Sequence, residues 1–182
     1  MAGNGLRVLG VDPGLQITGY GLVSFSGNFA ANGAIELIEA GVVRTYPGEG
    51  ISARLHKVHT ALSEVVAELK PDVLVIEKLY AHYKHPTTAI LMGHVRGVVC
   101  LLSAANRIPL VNISSTHVKK SMTGNGHANK IQMQRMVQHT LSLKTMPEPP
   151  DVADAIAIAI SYALNASHRK EITQAGRVKA AR

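Results

Sequence analysis

Hydrophobic and polar positions divide this chain into a strand-rich beginning and a helix-rich remainder. Leu6–Asp12 is a branched apolar run stopped by Pro13-Gly14, the pattern of a buried strand. Thr18–Ser24 reads as a second strand with Ser26-Gly27-Asn28 as its turn, and Ile35–Thr45 as a third, ended by Pro47-Gly48-Glu49-Gly50. Connections this short predict an antiparallel meander. Ile51–Leu69 then switches to helical spacing, with Leu55, Val58, Leu62, Val65, Val66 and Leu69 along one face, Ser52 as the expected N-cap and Pro71 just beyond the end. Val73–Glu77 is apolar up to its last residue, the signature of a central strand buried on both faces.

Thr87–Asn106 predicts a second helix, apolar nearly all round, carrying Gly93, Gly97, Ala104 and Ala105. Glycine costs about 1 kcal/mol inside a helix relative to alanine. Two of them therefore predict another backbone close by, in the core or across a subunit interface. Leu110–Ile113 is the fifth strand. Ser115 or Thr116 is the expected cap of a short helix reaching about Met122, and Ala128–Leu141 makes another. After the proline-rich connection Thr145–Pro150, Asp151–Ala166 forms the last helix. A meander followed by right-handed crossovers gives an α/β fold with a mixed five-stranded sheet, three strands antiparallel and two added in parallel, and helices on both faces.

With 182 residues and 46% hydrophobic content, the expectation is one domain spanning 1–182, with its core at about 6–166 and a basic, flexible tail at 167–182. No uninterrupted apolar run approaches the ~18 residues of a membrane span, and Met1–Gly5 lacks the apolar stretch of a signal peptide. A cytoplasmic protein without membrane contact is expected. The single cysteine, Cys100, excludes an intramolecular disulfide and a cysteine-based zinc site, and its apolar setting predicts a buried thiol. His56/His59 and His82/His85 have i, i+3 spacing, but no cysteine or acid completes either as a metal set. The net charge of +7 fits a polyanionic partner. Lys119-Lys120, Lys130 and Arg135 form one basic group, and His168-Arg169-Lys170 through Arg182 form another, for which a solvated end is the alternative reading.

The chemistry lies in the acids. Of only four aspartates, Asp12 closes the first apolar run, and Asp151 and Asp154 open the last helix, while Glu77 closes the fourth strand. Singly, each has an ordinary explanation: a turn residue, an acid at a strand end, a helix-start residue. Together they suggest a site. Asp151 and Asp154 are separated by about 60° around a helix and share a face, and the residues that follow them are apolar, which keeps that helix against the sheet. Asp12 and Glu77 end strands that the topology makes parallel neighbours. Carboxylates gathered in this way repel unless a cation joins them, and hard oxygen ligands favour magnesium, with manganese as the alternative. Two such ions, roughly 3.5–4 Å apart, serve in-line phosphodiester hydrolysis. Asp12 is the central acid expected to bridge both, and no serine, histidine or cysteine nucleophile is then required.

At this point the chain resembles the RuvC family of Holliday-junction resolvases over nearly all of Leu6–Ala166. Gly10-Val-Asp12-Pro-Gly14 with Thr18-Gly-Tyr-Gly21, Pro71-Asp-Val-Leu-Val-Ile-Glu77, Met92-Gly93 with Arg96-Gly97, Val118-Lys119 with Thr123-Gly-Asn-Gly-His-Ala-Asn-Lys130, and Asp151-Val-Ala-Asp154 follow its motifs in order. Lys78 and His94 stand where the family usually has glutamine, and Tyr80 where phenylalanine is common. The resemblance implies a ribonuclease H-like fold and a magnesium-dependent crossover junction endodeoxyribonuclease acting in recombination and repair. Asp12, Glu77, Asp151 and Asp154 would be its catalytic and metal-holding acids. Tyr80 would stack on a base near the crossover, worth about 1–3 kcal/mol. Lys119 and Lys130 would contact phosphate, and Gly124 and Gly126 would form a loop close to DNA. The resemblance also implies a homodimer built on the Gly93/Gly97 helix, paired nicks with 5′-phosphate and 3′-hydroxyl ends, and partnership with a junction-binding protein and its ATPase motor. A non-catalytic junction-binding protein and a nuclease of the same fold acting on RNA are the alternatives.

Overall fold

The structure, a computed structural model, describes residues 5–26, 34–78 and 86–180, with the side chains of residue 86 and of 167–180 outside that description. Its order is β1 (Leu6–Asp12), β2 (Ile17–Ser26), β3 (Ala34–Arg44), α1 (Ile51–Leu69), β4 (Val73–Glu77), α2 (Pro86–Ala105), β5 (Leu110–Ile113), α3 (Ser115–Thr123), α4 (Lys130–Thr140) and α5 (Pro150–Ala180). The sheet runs β3-β2-β1-β4-β5. β1, β2 and β3 pair antiparallel, and β4 and β5 add in parallel beside β1. This is the mixed five-stranded sheet expected from the sequence.

Because side chains alternate across a strand, the sheet has two cores. Leu9, Val11, Leu22, Leu74 and Ile76 pack with Val58, Leu62 and Val66 of α1 and with Val95, Val99 and Leu102 of α2. Val8, Val23, Val73 and Val75 pack on the opposite face with Val118 and Met122 of α3, Met133 and Val137 of α4, and Ile156–Ile160 of α5. Helices therefore cover both faces.

Several local expectations change. α1 is capped by Gly50 in extended conformation with no side-chain bond, not by Ser52, which lies inside the helix. The cap of α3 is Ser114, whose Oγ accepts from the His117 N–H, rather than Ser115 or Thr116. α4 begins later than Ala128, because Asn129 and Gln132 form a reciprocal capping box. α5 continues to Ala180, whereas the apolar pattern supports a helix only to Ala166.

α2 departs most from expectation. From Thr87 to Ala105 it is long and apolar enough, by length and composition, to cross a membrane, although no single run of its residues had suggested this. One side of it, with Val95, Val99 and Leu102, belongs to the core. Ile90 and Leu101 on the rest are 61% and 62% exposed. Cys100 is exposed too, so the buried-thiol expectation was wrong.

Candidate active site

β1 and β4 run parallel with Val11 beside Ile76, so the next residues, Asp12 and Glu77, leave the sheet side by side. Strand alternation puts both on the face of Val8, Val73 and Val75, under α5. Asp12 pairs across to Gly19 of β2. A Cβ on Gly19 would overlap the Asp151 carbonyl, and one on Gly10 would overlap the carbonyl of Ala155. A Cβ on Gly21 would collide with Ile156. Glycine at these three positions lets the first turns of α5 rest on the strands themselves, which brings Asp151 and Asp154 over Asp12.

The electrostatics follow from that packing. The Asp12 carboxyl is pushed up to about 7, first by burial and then by Asp154, Asp151 and Glu77, with Lys130 opposing. Burial also raises Glu77, partly offset by a hydrogen bond from Ser115, while Asp154 adds to the rise and Lys119 opposes it. Asp154 is raised by burial and by Asp151, against Lys130 and Lys119. The four acids and two lysines thus act on one another, and each lysine has a structural place: Lys119 lies on α3, and Lys130 is the first residue of α4.

Polar bonds brace the acid-bearing strand ends. After Asp12 the chain turns with the Gly14 N–H donating to the Asp12 carbonyl (3.0 Å), and Thr18 Oγ1 donates to the Gly14 carbonyl (2.6 Å). Thr45 Oγ1 donates to the Leu15 carbonyl, and the buried Arg54 donates through Nε to Thr45 Oγ1 (2.9 Å). Beside β4, Arg96 of α2 donates to the Glu77 carbonyl and to Asn112 Oδ1 of β5. Sequence reasoning missed Arg54 as a buried group. Its signal was present, since residue 54 continues the stripe of Val58, Leu62, Val65 and Leu69.

The structure brings Asp12, Glu77, Asp151 and Asp154 into one electrostatic cluster with Lys119 and Lys130. Among the described residues, no three His, Cys, Asp or Glu side chains already converge tightly enough to enclose an ion. The donor set nonetheless fits a divalent cation: its ligands are all carboxylate oxygens, and burial, with their mutual repulsion added, raises Asp12 to about 7. Gly124 caps α3 at φ 74°, a left-handed conformation that glycine adopts without strain, and Gly126 lies against Thr116. Tyr80, His82 and His85 lie outside the described residues.

Known proteins resemble this chain over most of its length. The family model "Crossover junction endodeoxyribonuclease RuvC" matches residues 8–162. A protein of that description from Rhodopirellula baltica is 45% identical over 87% of this chain and 86% of its own length. One from Desulforamulus reducens is 38% identical over 94% of this chain and 99% of its own length. Among solved structures, Thermus thermophilus RuvC in complex with a Holliday junction substrate superposes with a TM-score of 0.82 at 29% identity, covering 90% of this chain and 96% of that one. The chain therefore belongs to the RuvC family of crossover junction endodeoxyribonucleases, nucleases of ribonuclease H-like fold.

Proposed function

We propose that this protein resolves four-way DNA junctions by symmetric, paired phosphodiester hydrolysis in recombination and repair. The observation that carries the reading is the β1–β4 register, which sets Asp12 beside Glu77 beneath the first turns of α5. Asp12, Glu77, Asp151 and Asp154 would hold two magnesium ions, with Asp12 between them. When bound, the ions would activate the attacking water and stabilise the departing 3′ oxygen. Lys119 and Lys130, already close enough to act on the acids, would bind the scissile phosphate and offset its charge. Gly124 and Gly126 lack side chains at two points of the loop between these lysines, where DNA would approach the backbone. Tyr80 would stack on a base at the crossover.

Two-fold symmetry would set two such sites against opposed strands of a junction. We place the dimer interface on α2. Among the described residues, and apart from the neighbouring residues and backbone of α2 itself, nothing lies within 4 Å of a Cβ built at Gly93 or Gly97, so the backbone approach that these glycines suit would come from a second copy. Exposed Ile90 and Leu101 on the same helix support that interface. A junction-binding protein with its ATPase motor is the assembly in which such an enzyme would work.

The test is cleavage of a four-way DNA junction, plain duplex DNA and an RNA–DNA hybrid by wild-type protein and Asp12→Asn. Magnesium-dependent paired nicks in the junction alone are expected, reduced by roughly 10³-fold or more in the variant while binding survives. Equal cutting of the hybrid would favour an RNA-directed nuclease, and an uncut junction bound tightly would indicate a non-catalytic clamp.

A further inference from the structure

Away from the acids, the loop after α3 and one side of α4 line an open pocket of about 430 Å³. Thr123, Asn125, Gln132, Arg135 and His139 supply its polar lining, with Ala128 and Met136 between them. No carboxylate lines it among the described residues.

Its side-chain oxygen acceptors are already used. Asn125 Oδ1 accepts from the His127 N–H (2.9 Å), and Gln132 Oε1 accepts from the Asn129 N–H (2.9 Å). A backbone N–H can be met only by the oxygen of a side-chain amide, so both amide NH₂ groups remain as donors. The Thr123 hydroxyl donates within the loop and accepts the Asn125 N–H (3.1 Å). The side chains of Arg135 and His139 have no partner among the described residues. What remains is a guanidinium, an imidazole and two amide NH₂ groups facing one cavity, the complement of an oxyanion. Arginine suits phosphate in particular, because its planar fork donates to two oxygens at once.

The location narrows the ligand. Gln132 lies two residues beyond Lys130, which acts on Asp12 and Asp154. On α4, however, Arg135 is about 140° round the helix from Lys130. The pocket therefore adjoins the acidic centre along the chain but opens on another side of α4. We propose that it binds a backbone phosphodiester of a junction arm, at a distance from the scissile phosphate, with Arg135 gripping the phosphate and His139, Gln132 and Asn125 donating to it. This rests on the junction-cutting function proposed above.

The experiment measures four-way-junction binding against salt concentration, and single-turnover cleavage at saturating protein, for wild type, Arg135→Gln, Arg135→Lys and the double variant Arg135→Gln/His139→Gln. Each lost phosphate contact lowers the slope of log K against log salt by about 0.9. For Arg135→Gln we expect that drop, about tenfold weaker binding at fixed salt, and an unchanged cleavage rate at saturation. The lysine variant should retain most of the slope. An unchanged slope in both glutamine variants overturns the proposal. In a separate arm, inorganic phosphate is titrated without DNA while the His139 ring resonances are followed. Phosphate binding together with an unchanged slope would make this a free-anion pocket and would equally overturn the DNA-arm assignment. The two layers fail separately: wild-type protein that does not cut junctions overturns the proposed function, whereas normal cutting with an unchanged slope overturns the pocket alone.

Discussion

Towards α5, β1 and β2 present Gly10, Gly19 and Gly21; towards α1 and α2 the same strands present Leu9, Val11 and Leu22. The first face gives up side-chain burial for proximity. At Gly10 the sheet meets Ala155 and Ala159 and at Gly19 the Asp151 backbone, so the position of Asp151 and Asp154 over Asp12 is set largely by atoms without rotamer freedom. The second face packs branched side chains into an apolar layer that supplies stability and carries no catalytic group. Arg54 and Arg96 are its charged exceptions: Arg96 donates to the carbonyl of the strand-end acid Glu77, and Arg54 holds Thr45, which in turn donates to the Leu15 carbonyl in the turn after β1. Precision and stability are thus divided between the sides of one sheet, one residue apart along each strand.

Substitutions on the two sides should fail in different ways. Gly19→Ala should have the largest effect, because its methyl would overlap the Asp151 carbonyl and displace α5. A misplacement of about 1 Å costs on the order of 10²-fold in rate, accompanied by about 1–3 kcal/mol of overpacking. Cleavage rates of the folded fraction, set beside denaturant melts, would reveal it; unaltered cleavage would mean that the close approach does not position the acids. Leu74→Ala, on the opposite face, should cost about 2–5 kcal/mol in stability while the folded protein cuts at the wild-type rate. A comparable loss of rate would erase the proposed division. Arg96→Leu lies between them. Losing its bonds to the Glu77 carbonyl and Asn112 should cost about 1–3 kcal/mol and reduce cleavage by roughly tenfold, with Arg96→Lys recovering part of the rate. A stability loss with an unchanged rate would reduce Arg96 to an ordinary structural residue.

Much of this site was legible in the residues, because strands announce their ends. Apolar runs that stop at Asp12 and Glu77 locate both acids on the sheet edge, and the short connections fix the order that makes their strands neighbours. α2 was harder to read. A helix apolar all round has no phase to tell its core side from its exposed side, so Cys100 was placed inside when it lies outside. The caps slipped for a different reason: Gly50 caps α1 through backbone conformation alone, which leaves no side-chain signature. The glycine face of β1 and β2 carried a usable signal, three glycines at matching register, whose meaning emerges only with the helix that covers them. Arg54 carried no chemical signal of its own in the sequence, and the bonds of Arg54 to Thr45 and of Arg96 to the Glu77 carbonyl appear only with the fold.

The central claim is that the four acids form a strained cluster that a divalent cation relieves. Asp12 titrates near 7 in the folded protein against 3.8 as its ordinary value. A raised folded-state value contributes stability that is fully present below about pH 4 and is lost as pH rises through 7. At pH 8, without cations, the Asp12 carboxylate therefore costs on the order of 4 kcal/mol. The direct measurement is the thermal midpoint of wild type and Asp12→Asn at pH 8 and pH 5, with chelator and with magnesium. In chelator the variant should melt several degrees above wild type at pH 8, with the gap narrowing at pH 5, and magnesium should raise wild type more than the variant. If Asp12→Asn melts no higher than wild type at pH 8 in chelator, and magnesium shifts both alike, the acids are not the strained, cation-seeking cluster described here.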